Sequence, residues 1–258
     1  MGWLSAQFLY ATNNSGGTAN LDIRTIPGIP DRNFADADHQ FLYLPITGCT
    51  SKTWLNNNLG ANYSNTKKSV FNPAQQGTTI NDFNAYGSLY QWGRYSDGHE
   101  LIFAASSNMQ AGLPSYPING ITDVIFSTLT PNIDTFGGRA SNFWNDLADS
   151  TGLAWQGESG INNPCPQGYR VPTQTEIAAE ATICGGTAAL IYASVFKIVN
   201  AGYRNSGDGR LLNSSSASYF WTSNNSGTVQ ALQNNGFSAG GPSSSARTNG
   251  VSVRCIKN

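Results

Sequence analysis

The stretch from Asn213 to Asn249 is built almost wholly from Ser, Asn, Gly, Ala and Thr, and its only charge is Arg247. Such a segment cannot bury enough apolar area to offset the entropy of ordering it, and standing alone it would read as disordered. It does not stand alone. An aromatic, strand-like run, Tyr219-Phe220-Trp221-Thr222-Ser223, enters it, and the alternating Val251-Ser252-Val253-Arg254-Cys255-Ile256 follows it. The chain must therefore fold into a body whose sheets grip both ends of a polar, irregular surface, an arrangement suited to binding.

The alphabet of the tract is restricted. Between Leu211 and Val253 there is no Lys, Glu or Met, and only Trp221, Gln230 and Gln233 fall outside the set that pyrimidine-ending codons encode. Replacing the adenines of an Asn codon (AAC or AAT) reaches Phe, Tyr, Ser, Gly, Ala, Thr, Pro, Arg, Val and Leu, but never Gln, Lys, Glu, Met or Trp. A polar loop that drifted to this composition is the plain alternative.

With 258 residues the chain can bury a substantial core, as one large domain or two small ones. Charged residues make up only 11%, against about a quarter in ordinary domains, so solubility rests on neutral polar groups. The net charge of −1, with no basic cluster, gives nucleic acid or an anionic membrane no electrostatic footprint. No run approaches the roughly 18 apolar residues of a membrane span. The longest, Ala188 to Val199, is broken by Lys197 and is expected in the core. The amino terminus has no basic patch followed by an apolar run, so no signal peptide is expected.

The four cysteines, Cys49, Cys165, Cys184 and Cys255, are too few and scattered for a disulfide framework and read as structural. Cys165 and Cys255 adjoin strand or turn edges and could be bridged. No pair has zinc-site spacing and the two histidines, His39 and His99, stand apart, so no metal or cofactor is expected.

Abundant glycine and short strands separated by Asn, Gly and Pro clusters predict a loop-rich domain with few helices. Residues 1–38 read as an extended arm or small β appendage, and 39–258 as the main domain. Thr173-Gln174-Thr175-Glu176 after Pro172 fits a capping box and predicts a helix start. Phe143, Trp144 and Leu147 predict a second helix around Ala140 to Thr151. Strands are expected at Phe41 to Leu44, Phe196 to Val199, Phe220 to Thr222 and Val251 to Ile256.

Several motifs occur in series: Trp54-Leu55-Asn56-Asn57-Asn58-Leu59-Gly60-Ala61, Tyr86-Gly87-Ser88-Leu89-Tyr90-Gln91-Trp92-Gly93-Arg94 with Asp97-Gly98-His99-Glu100, Trp155-Gln156-Gly157, Asn162 to Thr173, Ala201 to Asn205 and Ser252 to Cys255. The series resembles the variable proteins of diversity-generating retroelements and their unmutated bacterial relatives, over roughly residues 39 to 258. The resemblance implies an α+β chain with a C-type lectin fold of the formylglycine-generating-enzyme type: small mixed or antiparallel sheets, two helices and long irregular loops. It also implies a ligand-binding face at about 213–250, altered by adenine mutagenesis on a fixed backbone. Carried over, the variable, ligand-binding positions are Tyr219, Asn224, Asn225, Ser226, Thr228, Asn234, Asn235, Phe237, Ala239, Gly241, Ser243, Ser244, Ser245 and Ala246. Trp221, Leu232, Pro242, Arg247, Asn249, Gly250, Val253 and Cys255 are the implied framework. Between Ser223 and Leu232 the chain is shorter than the family's pattern.

Two other motifs compete. Trp144-Asn145-Asp146 matches a tripeptide of calcium-dependent lectins, but here it falls in an expected helix and lacks a Glu-Pro-Asn partner. The enzyme branch of the fold uses two closely spaced cysteines near its carboxy terminus, and Cys255 has no such neighbour, so no catalytic residues and no enzyme activity are expected. Asp97, His99 and Glu100 could suggest acid–base work but read as a polar loop fixing the turn after Arg94. Tyr86, Tyr90 and Trp92 read as core aromatics. The expected function is receptor binding or adhesion through the diversified face, with Tyr219, Phe237 and Phe220 as anchors and a protein or glycan on a host or target surface as partner. Small side chains imply a shallow site helped by display in multiple copies. A virion tail, or else a cell surface, is the expected location. The alternatives are a fixed, non-diversified adhesive or structural domain and, further off, a vestigial enzyme fold.

Overall fold

The computed structural model describes residues 7–10, 22–25, 28–102, 122–131, 133–139, 144–145, 154–224 and 247–258. Within them the chain is mixed α+β: short, mostly antiparallel strands in small sheets, with two helices. Near the amino terminus, β1 (Gln7–Tyr10) and β2 (Asp22–Thr25) pair as an antiparallel hairpin, and β3 (Ile29–Pro30) pairs with β4 (Leu42–Tyr43). The latter pairing crosses residue 38.

One four-stranded sheet runs β5 (Pro45–Thr47), β6 (Thr53–Leu55), β12 (Ile256–Lys257), β8 (Tyr169–Arg170). The other runs β10 (Leu211–Leu212), β9 (Tyr203–Arg204), β11 (Gly250–Val251), β7 (Tyr90–Gln91). The chain's last segment thus supplies an inner strand to each sheet. The expected strand from Val251 to Ile256 is divided into β11 and β12, and between them Val253 and Cys255 accept backbone bonds from Leu59 and Leu55, each at 3.0 Å.

Period-two alternation explains the residue types. Val251, Val253 and Cys255 join one core cluster with Tyr90, Trp92 and Trp221, while Ile256 joins a second with Trp54 and Phe196. Arg254, also on that second side, is buried and spends its guanidinium on Asn58 Oδ1 at 3.0 Å, Leu55 O at 3.0 Å and Asn56 O. Burial pushes its pKa down to about 9. The asparagine run of the first motif serves the same purpose. Asn56, Asn57 and Asn58 donate to the carbonyls of Pro73, Gln75 and Tyr86, so each amide replaces a missing sheet partner for a buried loop.

Helix α1 (Gln174–Ile183) starts as the sequence predicts: Thr173 accepts from the Glu176 amide and Glu176 reaches back to Thr173. Arg170 clasps Glu176 at 2.7 and 2.8 Å and holds its carboxyl down at about 2. Glu180, buried on the inner face of α1, accepts from Trp54 Nε1, the Cys49 and Thr50 amides and the Thr50 hydroxyl. The second helix is α2 (Ala188–Ala193), capped by Thr187.

Three expected secondary-structure elements differ. Trp144 and Asn145 are not helical: Asn145 forms a parallel bridge with Phe126, and the remainder of 140–151 lies outside the described residues. Phe196 to Val199 is not a strand, because Lys197 takes a positive φ of 42°, which breaks the extended backbone. Phe220 to Thr222 makes only a single parallel bridge, Phe220 to Ser252.

All four cysteines are paired, Cys165–Cys255 and Cys49–Cys184. The bridges close sequence separations of 90 and 135 residues. On chain entropy such loops stabilise by about 4–5 kcal/mol each. The scattered cysteines are therefore a framework after all, fastening the terminal strand to the Cys165 turn and the end of α1 to the β5–β6 turn.

Candidate ligand-binding site

The two ends of the polar tract meet on one short segment, Tyr90 to Arg94. Its alternate carbonyls are each capped by an indole: Tyr90 O accepts from Trp221 at 2.5 Å, Trp92 O from Trp144 at 2.7 Å and Arg94 O from Trp155 at 3.3 Å. A buried tryptophan gives large apolar area together with one N–H that needs a partner. Three of them here finish the hydrogen bonding of the edge strand β7 and of the residues that leave it.

Trp92 itself clamps both ends. Its backbone N–H donates to Arg247 O at 3.0 Å, at the exit of the tract, and its indole Nε1 donates to Thr222 O at 2.8 Å, at the entry. The Arg247 guanidinium lies 4.5 Å from the Trp92 ring centroid, a cation–π contact over the same residue. Gln91 secures the exit a second time, donating through Nε2 to Thr248 O at 2.9 Å and to Gly137 O at 2.8 Å. Asn249 Oδ1 accepts from the Ser206 amide at 3.0 Å. At the entry, Trp221 N–H donates to Ser252 O at 3.0 Å, Ser223 N–H to Pro172 O at 2.8 Å, and Gln156 to Ser223 O.

Of the expected ligand-binding positions, Tyr219 and Asn224 are described. Tyr219 is only 2% exposed; its ring packs edge-on against Tyr203 and its hydroxyl accepts from Asn213 at 2.8 Å. Phe220 is buried to the same degree in the second core cluster. Both aromatics are therefore core residues and not surface anchors: neighbouring side chains point to opposite faces, and here both faces are covered, Tyr219 by the first cluster and Phe220 by the second. Asn224 is half-buried, and its Oδ1 accepts from the Gln174 N–H at 2.7 Å. Asn225, Ser226, Thr228, Asn234, Asn235, Phe237, Ala239, Gly241, Ser243, Ser244, Ser245 and Ala246 lie outside the described residues. So do Leu232 and Pro242 of the implied framework, whereas Trp221, Gly250, Val253 and Cys255 are buried. Sequence reasoning missed Gln91, Gln156 and Trp92 as clamps. The motif around Trp92 singled it out, but only as a core residue.

Beneath the seat is a buried ionic network. His39 Nε2 lies 2.7 Å from Glu100 Oε1, His99 Nδ1 2.7 Å from Asp97 Oδ1 and 3.2 Å from Glu100 Oε2, and Arg94 pairs with Asp97 at 3.0 Å. His99 Nε2 accepts the Gln91 N–H at 3.0 Å, which places the ring proton on Nδ1, facing the carboxylates. Burial alone would lower the pKa of His39, but Glu100, with help from Asp31 and Asp36, outweighs it and pushes the value up to about 9. Glu100 itself is penalised by burial, yet His39 and His99 hold it well below the usual carboxylate range. Asp31, raised mainly by burial, sits at about 6.

Asp97, His99 and Glu100 bring three residues of metal-ligand type together, as do Cys49, Glu180 and Cys184. In the first group every carboxylate oxygen already has a cationic or N–H partner and both His99 nitrogens are hydrogen-bonded, and in the second the sulfurs are joined to each other. The expected polar loop after Arg94 is what the first group forms, locking the turn from within. The tripeptide Trp144-Asn145-Asp146 is likewise absorbed, with Trp144 on Trp92 O and Asn145 on Thr128 O, while Asp146 lies outside the described residues. Among the described residues no helix is long and apolar enough to cross a membrane. The chain matches no protein-family model, no curated protein and no solved structure.

Proposed function

We propose that this chain is a noncovalent binding protein with a C-type lectin fold of the formylglycine-generating-enzyme type, whose ligand face is the tract from Asn225 to Ala246, diversified by retroelement adenine mutagenesis. The observation that carries the reading is the double clamp of Trp92 on Thr222 and Arg247, which holds both ends of a polar tract rich in Ser, Asn and Gly on one buried seat. Because the seat is fixed by indole-capped carbonyls, disulfides and buried ion pairs outside the tract, side chains within it are free to change without unfolding the body. The restricted alphabet of the tract fits that freedom. The two described residues proposed as variable are held by the body, so recognition falls to positions 225 onward.

Mechanistically the protein does no covalent chemistry. A ligand would be held by hydrogen bonds from small polar side chains, and Phe237 is the remaining aromatic anchor of the tract. Such shallow contacts give weak single-site affinity, which several copies on a virion tail or cell surface would raise by avidity. The partner is a protein or glycan on a host or target cell.

A library in which the proposed variable codons from Asn225 to Ala246 are randomised with pyrimidine-ending codons tests the reading. Displayed and challenged with protease, most members should survive as the parent does, and panning on candidate host surfaces should enrich distinct tracts. Survival confined to the parental sequence would contradict it.

A further inference from the structure

The structure assigns Asn224 a positioning role: it caps helix α1 from across the fold, in place of contacting a ligand. The contrast with a ligand contact rests on the tract being the binding face; the cap does not. The opening N–H groups of an α-helix have no partner within the helix. At α1 the capping box satisfies two of these, Thr173 N–H on Glu176 Oε2 at 2.9 Å and Glu176 N–H on Thr173 Oγ1 at 3.2 Å. The Gln174 N–H lies outside the box, and Asn224 Oδ1 takes it at 2.7 Å.

Asn224 is delivered to that spot by its neighbour. Ser223 N–H donates to Pro172 O and Gln156 donates to Ser223 O, so consecutive residues tie the tract's entry to the turn that begins α1. The side-chain oxygen of Asn224 is thus directed into the body. Asn, Asp, Ser and Thr supply a short oxygen acceptor of the capping kind; of the other side chains reachable by adenine replacement in an Asn codon, Tyr and His carry an acceptor only on a bulky ring and the rest carry no oxygen or nitrogen acceptor. An Asn codon at 224 is open to the same mutagenesis as its neighbours, but substitutions there should be removed by their effect on folding and not by ligand choice.

The test compares Asn224→Ala, Asn224→Asp and Asn225→Ala in the full chain by thermal melting and by hydrogen exchange of the Gln174 amide. Asn224→Ala should lower the Tm by about 2–4 °C, the expected size for loss of one cap in a chain of this length. It should also speed exchange at Gln174 by about tenfold, the same loss expressed as a local equilibrium. Asn224→Asp should restore both at neutral pH, and the restored Tm should fall again below about pH 4 as the carboxylate is protonated, because an acceptor charge at a helix start depresses the folded pKa. Asn225→Ala should change neither. Unchanged exchange and Tm in Asn224→Ala, or an equal loss in Asn225→Ala, would overturn the assignment. None of these readouts needs a ligand, so they separate failure of the cap from failure of the binding-face reading.

Discussion

Replacing Glu100 with Gln should erase a specific feature of the pH–stability curve. His39 and Glu100 are both buried, 2.7 Å apart, and the His39 pKa rises from 6.5 to about 9. A group whose folded pKa is raised contributes stability that is complete below its unfolded pKa and is lost as pH climbs through the folded value. The wild-type chain should therefore lose about 2 kcal/mol between pH 6.5 and 8.5, from 1.36 kcal/mol per pH unit of displacement, in a window that stops short of the pKa of about 9 at which buried Arg204 and Arg254 act in the opposite direction. Glu100, with its pKa depressed, acts at the opposite end: its contribution is present above about pH 4.5 and is lost as the solution becomes more acid. Asp31, raised from 3.8 to about 6, works against it, its contribution being lost as pH rises through 6. The window above 6.5 isolates His39 from both. Urea unfolding of wild type and Glu100→Gln at pH 6.5, 7.5 and 8.5 reads the effect. At pH 6.5 the variant should be about 3–5 kcal/mol less stable, since one charge of a buried pair is left alone. Its further loss up to pH 8.5 should nearly vanish. A wild-type curve flat across that window, or a variant with the same slope, would refute the coupling.

Trp92→Phe removes the indole bond to the buried Thr222 carbonyl while keeping an aromatic ring and the backbone bond to Arg247; a cost of about 1–3 kcal/mol in denaturant unfolding is expected, and a neutral substitution would argue against the clamp. Under graded reductant, Cys49–Cys184 should open before Cys165–Cys255, because Cys49 is half-buried while Cys165 and Cys255 are fully enclosed; alkylation and peptide mapping give the order. Gly202→Ala should destabilise strongly, since φ is +69° and a Cβ would fall 2.3 Å from Leu212 O, a contact that backbone cannot relieve cheaply. Its Tm should drop well beyond that of a surface Gly168→Ala, which has a similar φ but nothing within 4 Å.

What could be read from the sequence was local. The α1 capping box is a four-residue signal and appeared as expected at Thr173. The pairing of Cys165 with Cys255 could be suspected because both sit at strand edges, whereas Cys49 and Cys184 are joined through the docking of α1 on the β5–β6 turn, which no spacing encodes. The helix expected near Trp144 failed at its centre because that aromatic is placed by an indole bond to Trp92 O and not by helical periodicity. The seat is illegible for the same reason. Trp92 joins Thr222 and Arg247 through backbone carbonyls, which every residue owns, so the side-chain pattern carries no mark of them. Tyr219 looked like a surface anchor by its position in the tract, but the core took its face first.

The central claim, diversification of a clamped polar tract, is tested most directly by sequencing the 3′ end of this gene in sibling genomes together with any nearby near-repeat. The account predicts substitutions confined to pyrimidine-ending codons from Asn225 to Ala246, matching adenines in the repeat, with Trp92, Trp221 and Cys255 unchanged and position 224 restricted to Asn, Asp, Ser and Thr. An invariant tract with no template repeat would contradict it and leave a fixed adhesive domain.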